Sequence, residues 1–351
     1  LHTVSLTGYT DKALLDHLSS RTNGTHTQVA VPEDLLGTFD RIYSQAAPSA
    51  ELPLIEGGFD VDSSSREITF EVLHEVGELP NIVQPNGNSL PLVDQPGVHI
   101  SDAPYFTLVT VTNPTTGRWH VENIDLKRVH VRVLSDLEAT ASKIPSLLFS
   151  QQNIDSKVAL FRNQRSINDP DLLSTIDAKQ TLSLVVGGQE NTVLTLDMSR
   201  DGDQFKSRIE GISQPGLYAL TSVVQGATFA RQVRQYFTIQ PAVSFDVKNS
   251  GANLVTFSAS PTNGKLTTSL SSMTLKLNYA DGTQQQERMP FIAQGHWEKV
   301  VPIASERLVK VSAILNGVTK SGEKLVYSTP IWTVAHPKNS RIVIQLGDQN
   351  T

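Results

Sequence analysis

Between Phe59 and Asn123 the chain alternates apolar and polar positions, and turn residues break the alternation. After Val61, the residues Ile68, Phe70 and Val72 fall on every second position. A Pro85-Asn86-Gly87 turn follows, then Phe106, Leu108 and Thr110 oppose Val109 and Val111, and Gly117-Arg118-Trp119 steps into a last strand. Period-two runs separated by Pro, Gly and Asn predict antiparallel strands of a β-sandwich.

Upstream the period changes to that of a helix. Val4-Ser5-Leu6-Thr7 reads as a short strand, Thr10 or Asp11 caps a helix whose Leu14, Leu15 and Leu18 share a face, and Asn23-Gly24 ends it. Gln28 to Val31 is a second strand. Pro32-Glu33-Asp34 opens another helix, on which Leu35, Leu36, Phe39, Ile42 and Tyr43 recur at helical spacing. The result is a βαβα segment with too few strands to close a core of its own.

Downstream the β pattern repeats. A strand at Val129 to Val133 links to a second sandwich over 144–243, with strands expected at Val158 to Phe161, Thr181 to Val186, Thr192 to Leu196, Phe205 to Ile209, Gly216 to Val223 and Gln235 to Ile239. A third sandwich is expected over 244–336, with a hairpin at Ala280-Asp281-Gly282. Residues 337–351 read as a polar tail around Ile342 to Leu346. The expected fold class is mainly β: tandem Ig-like or jelly-roll β-sandwiches over 51–135, 144–243 and 244–336, preceded by an incomplete α/β segment over 1–50.

Composition narrows the function. The 351 residues are 38% hydrophobic and 18% charged, which fits folded modules, and a net charge of -6 without clustering of either sign argues against a nucleic-acid groove. The absence of cysteine removes thiol nucleophiles, disulfides and thiolate metal sites, and leaves location open. No apolar run of about 18 residues is present. Leu1 is not an initiator methionine, so a processed or cut chain is expected.

Each candidate for chemistry has a plainer structural reading. Asp60-x-Asp62-x-Ser64 mimics a metal loop, but at a strand edge alternating Asp and Ser are expected to face solvent, and the Gly and distal Glu of a calcium loop are missing. Asp197, Asp201 and Asp203 are the richer acidic cluster and the weak metal candidates of the chain, in a turn whose geometry Asp and Gly already satisfy. Gly211-Ile212-Ser213-Gln214-Pro215-Gly216 is one residue off a nucleophile elbow and leads into a strand rather than a helix. His120 and His130 match no close zinc spacing and are expected on the surface or a strand face. Trp119, Trp297 and Trp332 are expected as core anchors. A solvent-facing Trp119 or Trp297 would instead favour a glycan-binding module. Asn23-Gly24-Thr25 is a glycosylation pattern that coincides with the helix stop.

The stretch HTVSLTGYTDKALLDHLSSRTNGTHTQVAVPEDLLGTFDRI resembles the C-terminal portion of a von Willebrand factor A domain. Val61-Asp62-Ser63-Ser64, Pro85-Asn86-Gly87 and Asn113-Pro114-Thr115-Thr116-Gly117-Arg118-Trp119 are similar to the sandwich that follows such domains in hemicentin-like and chloride-channel-accessory-like proteins. Asp201-Gly202-Asp203, Pro215-Gly216-Leu217-Tyr218 and Gly226-Ala227-Thr228-Phe229-Ala230-Arg231 resemble Ig-like modules of bacterial surface proteins.

This resemblance implies a non-catalytic adhesion or scaffold protein, extracellular or on a bacterial envelope, that binds a protein ligand. Self-association through sheet edges is a further expectation, and membrane attachment would come only from an anchor outside this chain. No cofactor is expected within the chain. The family's metal loop precedes the strand at Val4, so magnesium or calcium would enter only with a complete A domain upstream.

Overall fold

The computed structural model describes residues 1–6, 9–22, 24–31, 34–46, 50–251, 253–305, 307–338 and 341–347. Thr7 of the first expected strand, the Asn23 of the helix stop and sequon, and the Pro32-Glu33 helix start lie outside the described residues. The fold is mainly β, with several sandwich-like sheets. Among the described residues no helix is long and apolar enough to cross a membrane.

The α/β segment forms in the expected order, with its second strand two residues earlier than Gln28 to Val31. Strands Thr3–Leu6 and His26–Val29 pair in parallel, with helix α1 (Lys12–Arg21) between them and helix α2 (Leu35–Ala46) after them. Asp11 is the cap, its Oδ1 accepting from the Leu14 N–H at 3.0 Å. Gly24 is demanded by space, since a Cβ there would sit 1.7 Å from the Leu1 carbonyl oxygen. Two strands cover little, and Leu14 and Leu18 of the expected apolar face are 50% and 41% exposed.

In the first sandwich, strands Val98–Ala103, Phe106–Thr112, Ser65–Leu73 and Val129–Ser135 form one layer, and Gly58–Val61, Gly117–Glu122 and Asn81–Val83 the other. The alternation seen in the sequence places Ile68, Phe70 and Val72 wholly inside. Trp119 stacks on Phe59 at 6.5 Å and tilts over Phe70 at 6.1 Å, and its indole N–H donates to the Thr115 carbonyl at 2.8 Å. Trp119 is therefore a core anchor.

The four-stranded layer continues into the second sandwich. The two-residue strand Ala50–Glu51 pairs with Val129–Ser135 on one side and with Ala230–Gln240 on the other, which makes one ten-stranded sheet that runs on through Gly216–Gln225 and Asp177–Val186 to Gln189–Asp197. Leu147–Phe149 adds in parallel to Ala230–Gln240. Opposite lies the layer of Leu137–Ala141, Ile154–Arg162, Gln204–Ile209 and Ser199–Asp201. The strands expected in this unit all form.

The third sandwich sets Val243–Asn249, Leu254–Pro261 and Trp297–Pro302 against a six-stranded sheet built on Ser272–Tyr279 and Arg307–Val318. Its Asp281-Gly282 hairpin has Gly282 at φ 86° and the Thr283 N–H donating to Asp281 Oδ1 at 2.9 Å. Trp297 is buried against Phe291, with ring centres 4.9 Å apart, and Trp332 is half-buried at the edge of this core. The segment expected as a tail contains strand Val343–Leu346, paired with Trp332–His336. Phe149 of the second sandwich inserts into the third core. Gln151 bonds both backbone groups of Ser328, at 2.9 and 3.2 Å.

Candidate functional site at the sandwich junction

Side chains two apart on a strand share a face, so the ten-stranded sheet gathers His130 and Arg132 beside Glu51 and beside Gln232, Arg234 and Tyr236. This polar stripe crosses the junction under α2. The Gln232 amide donates to Glu51 at 3.0 Å, and Arg234 Nη1 lies 3.0 Å from His130 Nδ1 and 3.6 Å from the Glu190 carboxylate, which also accepts from the Tyr236 hydroxyl at 2.8 Å. Arg132 grips Glu71 through Nε at 3.2 Å and Nη2 at 3.0 Å. It also pairs with Asp40 of α2 at 2.5 Å, and lies 5.5 Å from the Tyr43 ring centre. Arg132 thus ties the α/β segment to the first sandwich.

Burial and neighbouring charge compete to set the protonation of these groups. Burial alone would push the Glu51 carboxyl up, but the Arg234 guanidinium, with His130 and Arg132, outweighs it and holds Glu51 at about 2. Glu71 goes the other way, raised by burial and by the neighbouring Asp40 in spite of Arg132. Burial raises the Tyr236 hydroxyl far above its ordinary value. The groups of the stripe are engaged with one another.

A second cluster closes the interior end of the same junction. Arg231 is 0% exposed, its Nη1 lies 2.7 Å from Asp62 and donates to the Ala230 carbonyl at 2.8 Å, and its Nε donates to the Leu137 carbonyl at 2.9 Å. Its Nη2 donates to Ser64 Oγ at 3.0 Å and Ser135 Oγ at 2.7 Å. Ser64 in turn donates to Asp62 through its hydroxyl, and through its N–H at 2.8 Å. Arg231 bonds and the Ser64 hydroxyl hold the Asp62 carboxyl below its usual value against the effect of burial.

The expectation that Asp60, Asp62 and Ser64 all face solvent is therefore corrected. Asp60 is exposed and pairs with Arg118 at 3.2 Å, whereas Asp62 turns inward because a buried guanidinium needs a counter-charge. His130, expected on the surface or a strand face, lies on a face of strand Val129–Ser135 and is buried within the stripe.

The acidic turn is not drawn together. Asp201 pairs with Lys206 at 3.2 Å and Asp203 accepts from the Ser166 hydroxyl at 2.8 Å, while Asp197 ends its strand. Among the described residues no group of three or more His, Asp or Glu side chains is placed to hold a metal ion. At the elbow-like stretch Gly216 begins strand Gly216–Gln225, with no helix behind it.

Sequence reasoning missed Glu51, Arg132, Arg231 and Arg234 as a set. The one signal was two arginines inside the otherwise strand-like run Ala230 to Gln240, and a charge in such a run needs a partner that sequence does not locate.

No protein-family model matches the chain, and neither does any curated protein. Among solved structures it is similar to a DUF4785 family protein from Legionella pneumophila at 10% identity and TM-score 0.38, covering 80% of this chain and 87% of that one. It is similar to the native α2-macroglobulin of Escherichia coli at 8% identity and TM-score 0.33, over 83% of this chain but 23% of that one. The FN1–FN3 domains of chicken CNTN1 align at 7% identity and TM-score 0.23, over 86% and 98%. The sandwich architecture stands on the strand pairing above rather than on these low scores.

Proposed function

We propose that the chain is a non-catalytic surface scaffold or adhesion protein, in which coupled β-sandwiches set the reach and orientation of a protein-binding unit. The observation that supports this reading is the junction: one sheet runs through two sandwiches, the buried Arg231 fastens them to each other through Asp62, and Arg132 fastens the α/β segment to the first through Asp40. A scaffold that transmits force or fixes an angle needs such coupling, because sandwiches joined only by linkers move independently.

On this reading the α/β segment belongs to an A-type domain whose metal, if the domain is complete upstream, would be magnesium or calcium. The partner is a protein, and the location is extracellular or on a bacterial envelope. Trp119 and Trp297 are both 1% exposed and offer no aromatic platform to a sugar.

The test is protease treatment of intact cells that produce the protein, with released peptides identified against a lysed control. Release of peptides of this chain from intact cells is the expected outcome. Peptides seen only after lysis would remove the surface role.

A further inference from the structure

A cleft of about 830 Å³ lies where the α/β segment meets the second and third sandwiches, within the range of about 300–1,000 Å³ typical of small-ligand sites. Lys143 stands on the second-sandwich wall, and Lys265 and Lys320 stand on the third-sandwich wall. None of the three ammonium groups forms an ion pair or hydrogen bond with a described residue. Glu323 is the only acidic residue lining the cleft among the described residues, and it accepts from the Gln152 amide at 2.9 Å instead of pairing with a lysine.

Three cations without a partner among the described residues, against one carboxylate, in a chain of net charge -6, make a local field opposite to that of the whole molecule. The backbone holds them there. The Lys320 N–H donates to the Lys265 carbonyl at 2.8 Å and the Lys265 N–H to Asn263 Oδ1 at 2.8 Å. Lys143 sits between Ser142, whose N–H donates to the Lys157 carbonyl at 2.8 Å, and Ile144, whose N–H donates to Gln235 Oε1 at 3.1 Å. Burial lowers the Lys265 ammonium, and His2 in the same cleft is lowered by burial and then by nearby positive charge, Lys143 included.

We propose that this cleft binds a small molecule carrying two or more oxyanion groups, which bridges Lys143 on one wall to Lys265 and Lys320 on the other. Lysine acts as a point charge with no planar fork, so the site ranks ligands by charge number rather than by the shape of one group. Phosphate, sulfate and multiple carboxylates share that chemistry. Because the two walls belong to different sandwiches, occupancy stiffens the angle between them. The site does not depend on the adhesion reading.

The test is titration calorimetry of the full chain in about 0.15 M salt, where exposed long-range charge effects are screened. Tripolyphosphate, sucrose octasulfate, citrate and acetate are compared, and the first two against citrate separate phosphate and sulfate sources from carboxylate ones. Saturable binding that strengthens with ligand charge and is undetectable for acetate is expected. Lys265→Met with Lys320→Met should weaken tripolyphosphate by about tenfold or more, while Lys248→Met, outside the cleft, leaves it unchanged. Lys143→Met, at an exposed position, gives the same readout from the other wall if the double variant folds poorly. Absence of saturable heat with every polyanion, acetate binding as well as tripolyphosphate, or equal loss in Lys248→Met overturns the proposal.

Discussion

Arg231 of the second sandwich and Asp62 of the first meet at 2.7 Å with the guanidinium wholly out of solvent. Breaking one side of a buried pair leaves the other charge desolvated, at a cost of about 3–5 kcal/mol. Arg231→Met should therefore lower stability by about that amount in urea unfolding. Adding Asp62→Asn should return part of the loss, because the stranded charge goes with it. A double variant no more stable than Arg231→Met would mean that the hydrogen bonds to Leu137, Ser64 and Ser135 carry the effect.

The stripe predicts an acid limb. The folded value of Glu51, about 2, lies below its unfolded value of 4.5, so its contribution is complete above pH 4.5 and is lost as pH falls toward about 2. That shift corresponds to about 3 kcal/mol. Asp62 is also depressed and adds in the same direction. Glu71 is raised, so its contribution has the opposite sign, present below 4.5 and lost as pH rises. Glu51→Gln should flatten the fall of stability between pH 4.5 and 2, as measured by urea midpoints at several pH values.

Trp119 fills the middle of the first core between Phe59 and Phe70. Trp119→Ala should cost about 3–5 kcal/mol and erase the near-ultraviolet circular dichroism of that core. A variant that kept the wild-type unfolding midpoint would show that the ring is not an anchor.

Gly117 holds φ 127°, and a Cβ there would come within 2.9 Å of the Pro85 Cβ. The proline turn and the Gly-Arg-Trp step, far apart in sequence, therefore meet at a position that excludes a side chain. Gly117→Ala should destabilise by about 1–3 kcal/mol, read as a lower thermal midpoint, while Gly87→Ala, also at positive φ but with open space around it, loses less.

Local patterns made the β grammar readable. Ile68, Phe70 and Val72 could be placed on one face because the strand period is fixed, and the Asp281-Gly282 hairpin because few residues accept its backbone geometry. Helices α1 and α2 were equally legible. The two-residue strand Ala50–Glu51 was not, since nothing in two residues signals a strand until both neighbours are present. Val343–Leu346 was similarly hidden in a polar segment and owes its pairing to the edge beside it.

Which stretches become strands and helices, and which tryptophans and alternating aliphatics form the cores, could be read from the chain alone, because those choices depend on neighbours a few residues away. That one sheet spans two sandwiches, that Asp62 turns inward to Arg231, and that Lys143, Lys265 and Lys320 line one cleft became visible only in the folded chain. Charges act through space and across any sequence distance, so their partners exist only once the chain has folded.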